Sequence, residues 1–178
     1  MNPRAVMTLA DGRRLQLELY LDKAPITVSN FIRLCQQGFY DGKIIHRIVR
    51  DYIIQSGSST GSCEGRDEGF TIEGEFAENG HPTGIKHERG VISMARSREP
   101  NSASTQFFIV HQTAERLDGK YAAFGKLCDD RSFQVLDELA ALPTLSKEEE
   151  NRPLDPPVIV SIRVTAADLN ETECCDRA

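Results

Sequence analysis

A chain of 178 residues, 39% of them hydrophobic, is long enough to bury the core of one domain without disulfides or a partner chain. Its formal net charge of −6 argues against a nucleic-acid surface, because such surfaces depend on clustered Lys and Arg. No apolar stretch approaches the roughly 20 residues that cross a bilayer, and the N-terminal residues lack the apolar segment of a secretory signal. We therefore expect a cytoplasmic protein that binds neither nucleic acid nor membrane.

The first predicted elements are a β-hairpin and a helix. Apolar and polar residues alternate over residues 6–9 and 15–20, on either side of the turn signal Asp11-Gly12. Apolar residues then recur at helical spacing from Pro25 to Cys35, and Gly38 follows as a stop signal. The domain should therefore open with two paired strands and one helix.

The middle of the chain is predicted to be rich in short strands. Residues 44–106 show no long helical period, only short apolar runs between loops rich in Gly, Ser and Glu. Further short strands are predicted at 93–95, 107–110 and 122–124, a second amphipathic helix at 132–141, and a last strand at 158–164. Many short strands with two helices favour an antiparallel barrel, closed by pairing of the last strand with the first.

The C-terminal residues and the cysteines carry no clear function. Residues 166–178 are polar and charged, so we expect residues 1–165 to form the domain and the tail to fray. The five cysteines, an odd number, are interpreted as reduced thiols. The adjacent Cys174 and Cys175 have no assigned role. We expect a monomer.

Several ordered sequence blocks resemble the cyclophilin family of peptidyl-prolyl cis-trans isomerases. They are Ile45-His46-Arg47-Ile48-Val49 with Gln55, Gly90-Val91-Ile92-Ser93-Met94-Ala95, Gln106-Phe107-Phe108-Ile109, Leu117-Asp118-Gly119-Lys120 and Phe124-Gly125-Lys126. The resemblance runs from about residue 5 to residue 165. It implies a mainly β fold, a closed eight-stranded antiparallel barrel capped by two α-helices, with a shallow proline-binding groove on its outer face.

Carried over block by block, the resemblance implies a catalytic arginine and a set of groove residues. The catalytic residue would be Arg47, and the substrate-binding residues would be Tyr52, Ile53, Gln55, Ala95, Arg96, Gln106, Phe108, Arg116, Leu117 and Tyr121. The chain departs from the family pattern at Arg50-Asp51, where Pro-Gly is usual. Tyr52, Ile53, Arg116 and Tyr121 stand where Phe, Met, Trp and His are commoner.

The chemistry expected of these residues is stabilisation of a twisted amide. Rotation about an X–Pro bond localises a lone pair on the proline nitrogen, to which a guanidinium can donate in the transition state more strongly than in the planar ground state. Arg47 would supply this hydrogen bond, while Ile53, Phe108 and Leu117 hold the proline ring. No metal, cofactor or covalent intermediate is expected. His46 is expected to pack beneath the site, because rotation transfers no proton.

Two other patterns in the sequence are not expected to form functional sites. Residues 57–61 fit the Gly-x-Ser-x-Gly pattern of serine hydrolases, but that motif needs a preceding strand and a following helix. Cys63, His81, His87 and the two tail cysteines lack the spacing of zinc ligands.

Two functions remain open from the sequence: an isomerase that assists folding of proline-containing proteins, and a proline-peptide binding module with little catalysis. Arg47, Gln55 and Phe108 together favour the enzyme, whereas the departures at Arg50-Asp51 and Arg116 leave room for the binding module. A carrier barrel with an internal cavity is less favoured, because its interior would have to be empty. Because Arg116 replaces the rim Trp that the family associates with tight cyclosporin binding, we expect weak binding of that cyclic peptide.

Overall fold

Eight antiparallel strands and two α-helices make up the part of the chain that the structure describes, residues 2–64 and 68–165 of a computed structural model. The predicted frayed tail and the adjacent Cys174 and Cys175 lie outside these residues. In chain order the elements are β1 (Arg4–Leu9), β2 (Arg14–Leu19), α1 (Pro25–Gln36), β3 (Arg47–Val49), β4 (Ile53–Ser56), β5 (Val91–Met94), β6 (Phe107–Val110), β7 (Ala123–Leu127), α2 (Asp130–Ala140) and β8 (Ile159–Thr165). The predicted hairpin, both helices and the last strand are confirmed to within a few residues.

The strands form one curled sheet in the order β3-β4-β6-β5-β7-β2-β1-β8. The last strand does pair with the first, as the sequence predicted. The two edge strands, however, are not joined by a ladder among the described residues. Near them the chain is linked by the bridge Ile44–Val158 and by backbone bonds such as that from Ile45 N to Pro157 O, 2.9 Å.

The sheet is therefore an open half-barrel, and the prediction of a closed barrel is not confirmed. The edge strand β3 is only three residues long. The segment that meets the chain just before β3 contains Pro156 and Pro157, which have no N–H to donate to a ladder. Closure at this edge consequently stops at a single bridge.

The two helices are held at their N-termini by carboxylates. Glu75, from the long loop after β4, accepts hydrogen bonds from the backbone N–H groups of Ile26 (3.1 Å) and Thr27 (2.7 Å) in α1. Asp129 caps α2 by accepting from Ser132 N at 2.7 Å. No helix within residues 2–64 and 68–165 is long and apolar enough to span a membrane.

Side chains of the central strands alternate between two apolar clusters on opposite faces of the sheet. The inner cluster fills the space between the curved sheet and the helices, and it contains Phe31, Tyr40 and Phe107. The outer cluster consists of Ile53, Val91, Phe108, Val110, Ala114, Leu117 and Ala123. Phe107 and Phe108, adjacent on β6, thus point to opposite faces, as the alternation predicted.

Candidate active site

Strand register places three of the predicted site residues and Ser93 in one row across the sheet. Arg47 of β3 pairs with Gln55 of β4, Gln55 pairs with Phe108 of β6, and Phe108 pairs with Ser93 of β5. Directly paired residues of antiparallel strands share a face, so all four lie on the outer side. Neighbouring strands are about 4.8 Å apart, which puts Arg47 and Phe108 about 10 Å apart with Gln55 between them.

A chain of hydrogen bonds orients the arginine of this row. Arg47 Nη1 donates to Gln55 Oε1 (3.1 Å), Gln55 Nε2 donates to Gln106 Oε1 (3.0 Å), and Gln106 Nε2 donates to the carbonyl oxygen of Cys63 (3.4 Å). Among the described residues, no carboxylate forms an ion pair with Arg47. One terminal nitrogen of the guanidinium is therefore fixed by a neutral partner, and its positive charge is not neutralised locally.

The outer apolar cluster provides a floor beside this polar chain. Ile53, Phe108 and Leu117 are all nearly inaccessible, and the ring of Tyr121 meets that of Phe108 edge to face with centroids 5.7 Å apart. Such aromatic pairs favour a fixed mutual orientation. The predicted ring-binding residues are thus brought together next to the arginine.

His46, which precedes the arginine, is buried behind this surface. Its side chain is 1% exposed, and neither ring nitrogen has a hydrogen-bond partner among the described residues. Burial lowers the pKa of His46 to about 4, so the ring is neutral near pH 7. The histidine packs beneath the site, as expected.

The predicted rim residues are held in two different ways. Arg116 is exposed, and its guanidinium lies over the ring of Tyr52 with 4.0 Å between the Cζ atom and the ring centroid. Arg96 lies between the rings of Phe76 and Tyr121, 4.9 Å from each centroid, and donates twice to the carbonyl oxygen of Lys120. Arg96 therefore ties down the loop that carries Tyr121.

The unusual Arg50-Asp51 turn is supported by a histidine that sequence reasoning did not single out. Asp51 has a left-handed backbone conformation, with φ +58°, and its N–H donates to His111 Nδ1 at 3.0 Å. Since Nδ1 accepts this bond, Nε2 carries the ring proton of neutral His111 and donates to Asp137 Oδ1 at 3.0 Å. Asp occupies the position where the family usually has Gly, and His111 fixes the turn that leads to Tyr52.

A cavity of about 310 Å³ adjoins the polar chain. Gln55, Ala95, Arg96 and Gln106, all predicted site residues, contribute to its lining together with loop residues that include Cys63 and Glu68. Of the predicted site residues, those around Phe108 form the apolar floor, whereas these four face the cavity. The site therefore has an apolar part and a polar part, joined at Gln55.

The disfavoured sequence patterns find no support in the described residues. After β4 the chain makes bends through residues 59–64 rather than a helix, so residues 57–61 do not form a nucleophile elbow. No cluster of three or more His, Cys, Asp or Glu side chains suited to a metal ion occurs within residues 2–64 and 68–165.

A second buried network behind Phe108 was missed by the sequence reasoning. Ser93 and His87 are connected to Asp118, which lies within one of the sequence blocks that carry the resemblance. His87 and Asp118 are 31 residues apart, and no periodicity or spacing in the sequence indicates that they meet.

Residues 5–164 match the family model for the cyclophilin type peptidyl-prolyl cis-trans isomerase. The chain belongs to this family. It is 37% identical over 153 residues to human peptidyl-prolyl cis-trans isomerase-like 3, covering 85% of this chain and 90% of that protein. It is also 35% identical over 151 residues to the isomerase CYP57 of Arabidopsis thaliana, covering 84% of this chain but only 29% of that longer protein.

Solved structures agree with this assignment. A crystal structure of a cyclophilin type isomerase from Cryptosporidium parvum superposes with a TM-score of 0.79 at 28% identity, covering 94% of this chain and all of that one. A structure of the same protein in the presence of the dipeptide Ala-Pro gives a TM-score of 0.77 at 30% identity, covering 92% and 99% of the two chains.

Proposed function

We propose that this chain accelerates cis–trans isomerisation of X–Pro peptide bonds and that Arg47 stabilises the twisted amide. The observation that carries the proposal is the row of Arg47, Gln55 and Phe108 on one sheet face. It sets an oriented guanidinium beside an apolar floor of the kind that suits a pyrrolidine ring. Family membership supports the same activity.

The energy required is within reach of these groups. The barrier to X–Pro rotation is roughly 18–20 kcal/mol, so a turnover of about 10–10³ per second requires lowering it by roughly 4–7 kcal/mol. One charge-assisted hydrogen bond from Arg47 to the pyramidal nitrogen contributes about 1.5–3 kcal/mol. The remainder comes from orientation of the peptide and from removing water that stabilises the planar, dipolar amide.

The other groove residues would hold the peptide on either side of the rotating bond. Ile53, Phe108 and Leu117 bind the proline ring, and Tyr121 borders it. Gln55 and Gln106 present amide groups to the peptide backbone, and the cavity beside them has room for a neighbouring side chain. Because rotation transfers no proton, this mechanism uses no general base, metal or cofactor. The substrates are proline-containing peptides and folding proteins, acted on by a monomeric enzyme in the cytoplasm.

A protease-coupled assay on a chromogenic X–Pro peptide tests the proposal. The uncatalysed isomerisation takes tens of seconds, and the protein at catalytic concentration should shorten that phase. A module that only binds proline peptides would leave the rate unchanged while still binding the peptide in a titration. An unchanged rate therefore contradicts the enzymatic proposal.

A further inference from the structure

His87 packs against the outer apolar cluster, outside the residues assigned to peptide contact. Its side chain is 1% exposed. Ile85, two residues earlier in the chain, also packs against that cluster. The backbone of His87 is bonded on both sides: its N–H donates to Asp118 Oδ1 at 2.7 Å, and its carbonyl accepts from Ala114 N at 2.9 Å. The residue is thus tied to the loop that carries Leu117 and Tyr121.

The hydrogen bonds of the ring define its tautomer. Asp118 Oδ1 lies 3.1 Å from His87 Nδ1 and, as an ionised carboxylate, can only accept, so Nδ1 carries the proton. Nε2 then accepts from the hydroxyl of Ser93 at 3.0 Å. Burial lowers the pKa of His87, which favours this neutral form. Burial alone would raise the pKa of Asp118, but hydrogen bonds from His87 and Lys86 hold it below its usual value.

This arrangement has the order of a serine nucleophile, a base and an orienting acid, but its position excludes that chemistry. Ser93 lies on the outer side of the sheet, but it is completely inaccessible and cannot reach a substrate. Its hydroxyl instead donates toward the histidine.

The imidazole ring supports the floor of the proposed proline site. It stacks against Phe108 with centroids 6.1 Å apart and an interplanar angle of 21°, and it meets Tyr121 edge to face at 6.5 Å. Phe108 and Tyr121 are themselves in edge contact. Because packed rings in a closed contact cannot shift independently, moving His87 would move both.

We propose that His87 is a positioning residue for the proline-binding surface, holding Phe108 by its ring and Leu117 and Tyr121 through Asp118. This inference rests on the proposed function, because it assigns the surface to proline. Its effect should fall on substrate affinity, since contacts to the proline ring are made in the ground state as well as in the transition state.

The test compares His87→Asn with His81→Asn, kcat and KM being measured separately on a chromogenic Ala-Pro peptide well below the melting temperature. His81 is a partly exposed histidine bonded to Glu73, so its substitution is the matched control. We expect His87→Asn to raise KM about 5- to 10-fold with kcat within about 2-fold, and His81→Asn to change neither. A merely structural role would lower the folded fraction, which reduces apparent kcat and leaves KM unchanged. An unchanged KM in folded His87→Asn overturns the inference.

Asp118→Asn provides a second route if His87→Asn does not fold. It preserves the side-chain shape but removes the acceptor charge that fixes the tautomer, and we expect KM to rise about 3-fold. Unaltered KM would count against the inference.

Titration of the same peptide, followed by the NMR signals of the Phe108 and Tyr121 rings, separates the two proposals. If wild type binds the peptide without catalysing isomerisation, the proposed function fails. The role of His87 is then tested by peptide binding alone. The Kd should rise in His87→Asn, or in Asp118→Asn if His87→Asn does not fold, by the factor given above for the KM of that variant. If wild type does not bind the peptide, both proposals fail.

Discussion

Phe107 and Phe108 are neighbours on β6 whose side chains enter opposite clusters, so a matched pair of alanine substitutions separates core packing from the proposed site. Phe107 is 2% exposed and contacts the rings of Phe31 and Tyr40 at centroid distances of 5.7 and 5.4 Å. Phe107→Ala leaves a closed cavity in the inner cluster, which costs about 3–5 kcal/mol. Phe108 is also only 3% exposed, but it belongs to the outer cluster that borders the proposed groove, so we expect water to enter the space left by Phe108→Ala. We expect that change to lower the free energy of unfolding by about 1.5–3 kcal/mol, because apolar burial is lost but no empty cavity remains.

Urea unfolding with the isomerase assay measures both consequences. With a slope of about 2 kcal/mol per molar urea, the unfolding midpoint should fall by roughly 0.5–1 M more for Phe107→Ala than for Phe108→Ala. Catalytic efficiency per folded molecule should fall by about 10-fold or more for Phe108→Ala and little for Phe107→Ala. If Phe108→Ala proves the more destabilising variant, or retains full efficiency, the assignment of faces to functions is refuted.

Three further predictions concern the rim, the polar chain and the buried histidine. Arg116→Trp should tighten cyclosporin binding about tenfold, or about 1.4 kcal/mol, because a rigid indole replaces a mobile charged side chain. Equal affinities of the two proteins in calorimetry would show that Arg116 does not lie at the rim. Gln55→Leu should lower kcat about tenfold in the peptide assay by freeing the Arg47 guanidinium, and unchanged kcat would show that the hydrogen bond does not orient it. The pKa of His46 is about 4 in the folded protein and near 6.5 in the unfolded chain. The free energy of unfolding should therefore be highest above pH 6.5 and fall as the pH drops toward 4, by about 2 kcal/mol between pH 7 and pH 5. Urea titrations at both pH values should show His46→Leu losing less stability than wild type, and equal losses would contradict the buried neutral ring.

Local pattern was sufficient to predict most of the fold. The helical spacing from Pro25 to Cys35 predicted α1, which spans Pro25–Gln36. Alternation along the strands correctly separated Phe107 from Phe108. These features depend on residues close together in the chain. The repeat of the helix or strand backbone fixes which of those residues share a face.

The parts that could not be predicted depend on contacts between distant segments. At the open edge of the half-barrel, residues 43–45 meet residues 157–159 through one bridge and a few backbone hydrogen bonds, a contact that no pattern in either segment indicates. The same holds for His111, which joins the Asp51 turn to Asp137 of α2, and for His87, which joins Ser93 to Asp118. A lone buried histidine in a sequence does not reveal its partners.

The catalytic role of Arg47 can be tested in the protease-coupled assay by comparing wild type with Arg47→Ala and Arg47→Lys. We expect Arg47→Ala, folded as judged by its melting curve, to lose about 10²-fold in catalytic efficiency, equivalent to roughly 3 kcal/mol of transition-state stabilisation. Arg47→Lys should recover little of this, because an ammonium lacks the planar fork held by Gln55. Near wild-type efficiency in a folded Arg47→Ala protein would show that Arg47 does not stabilise the twisted amide.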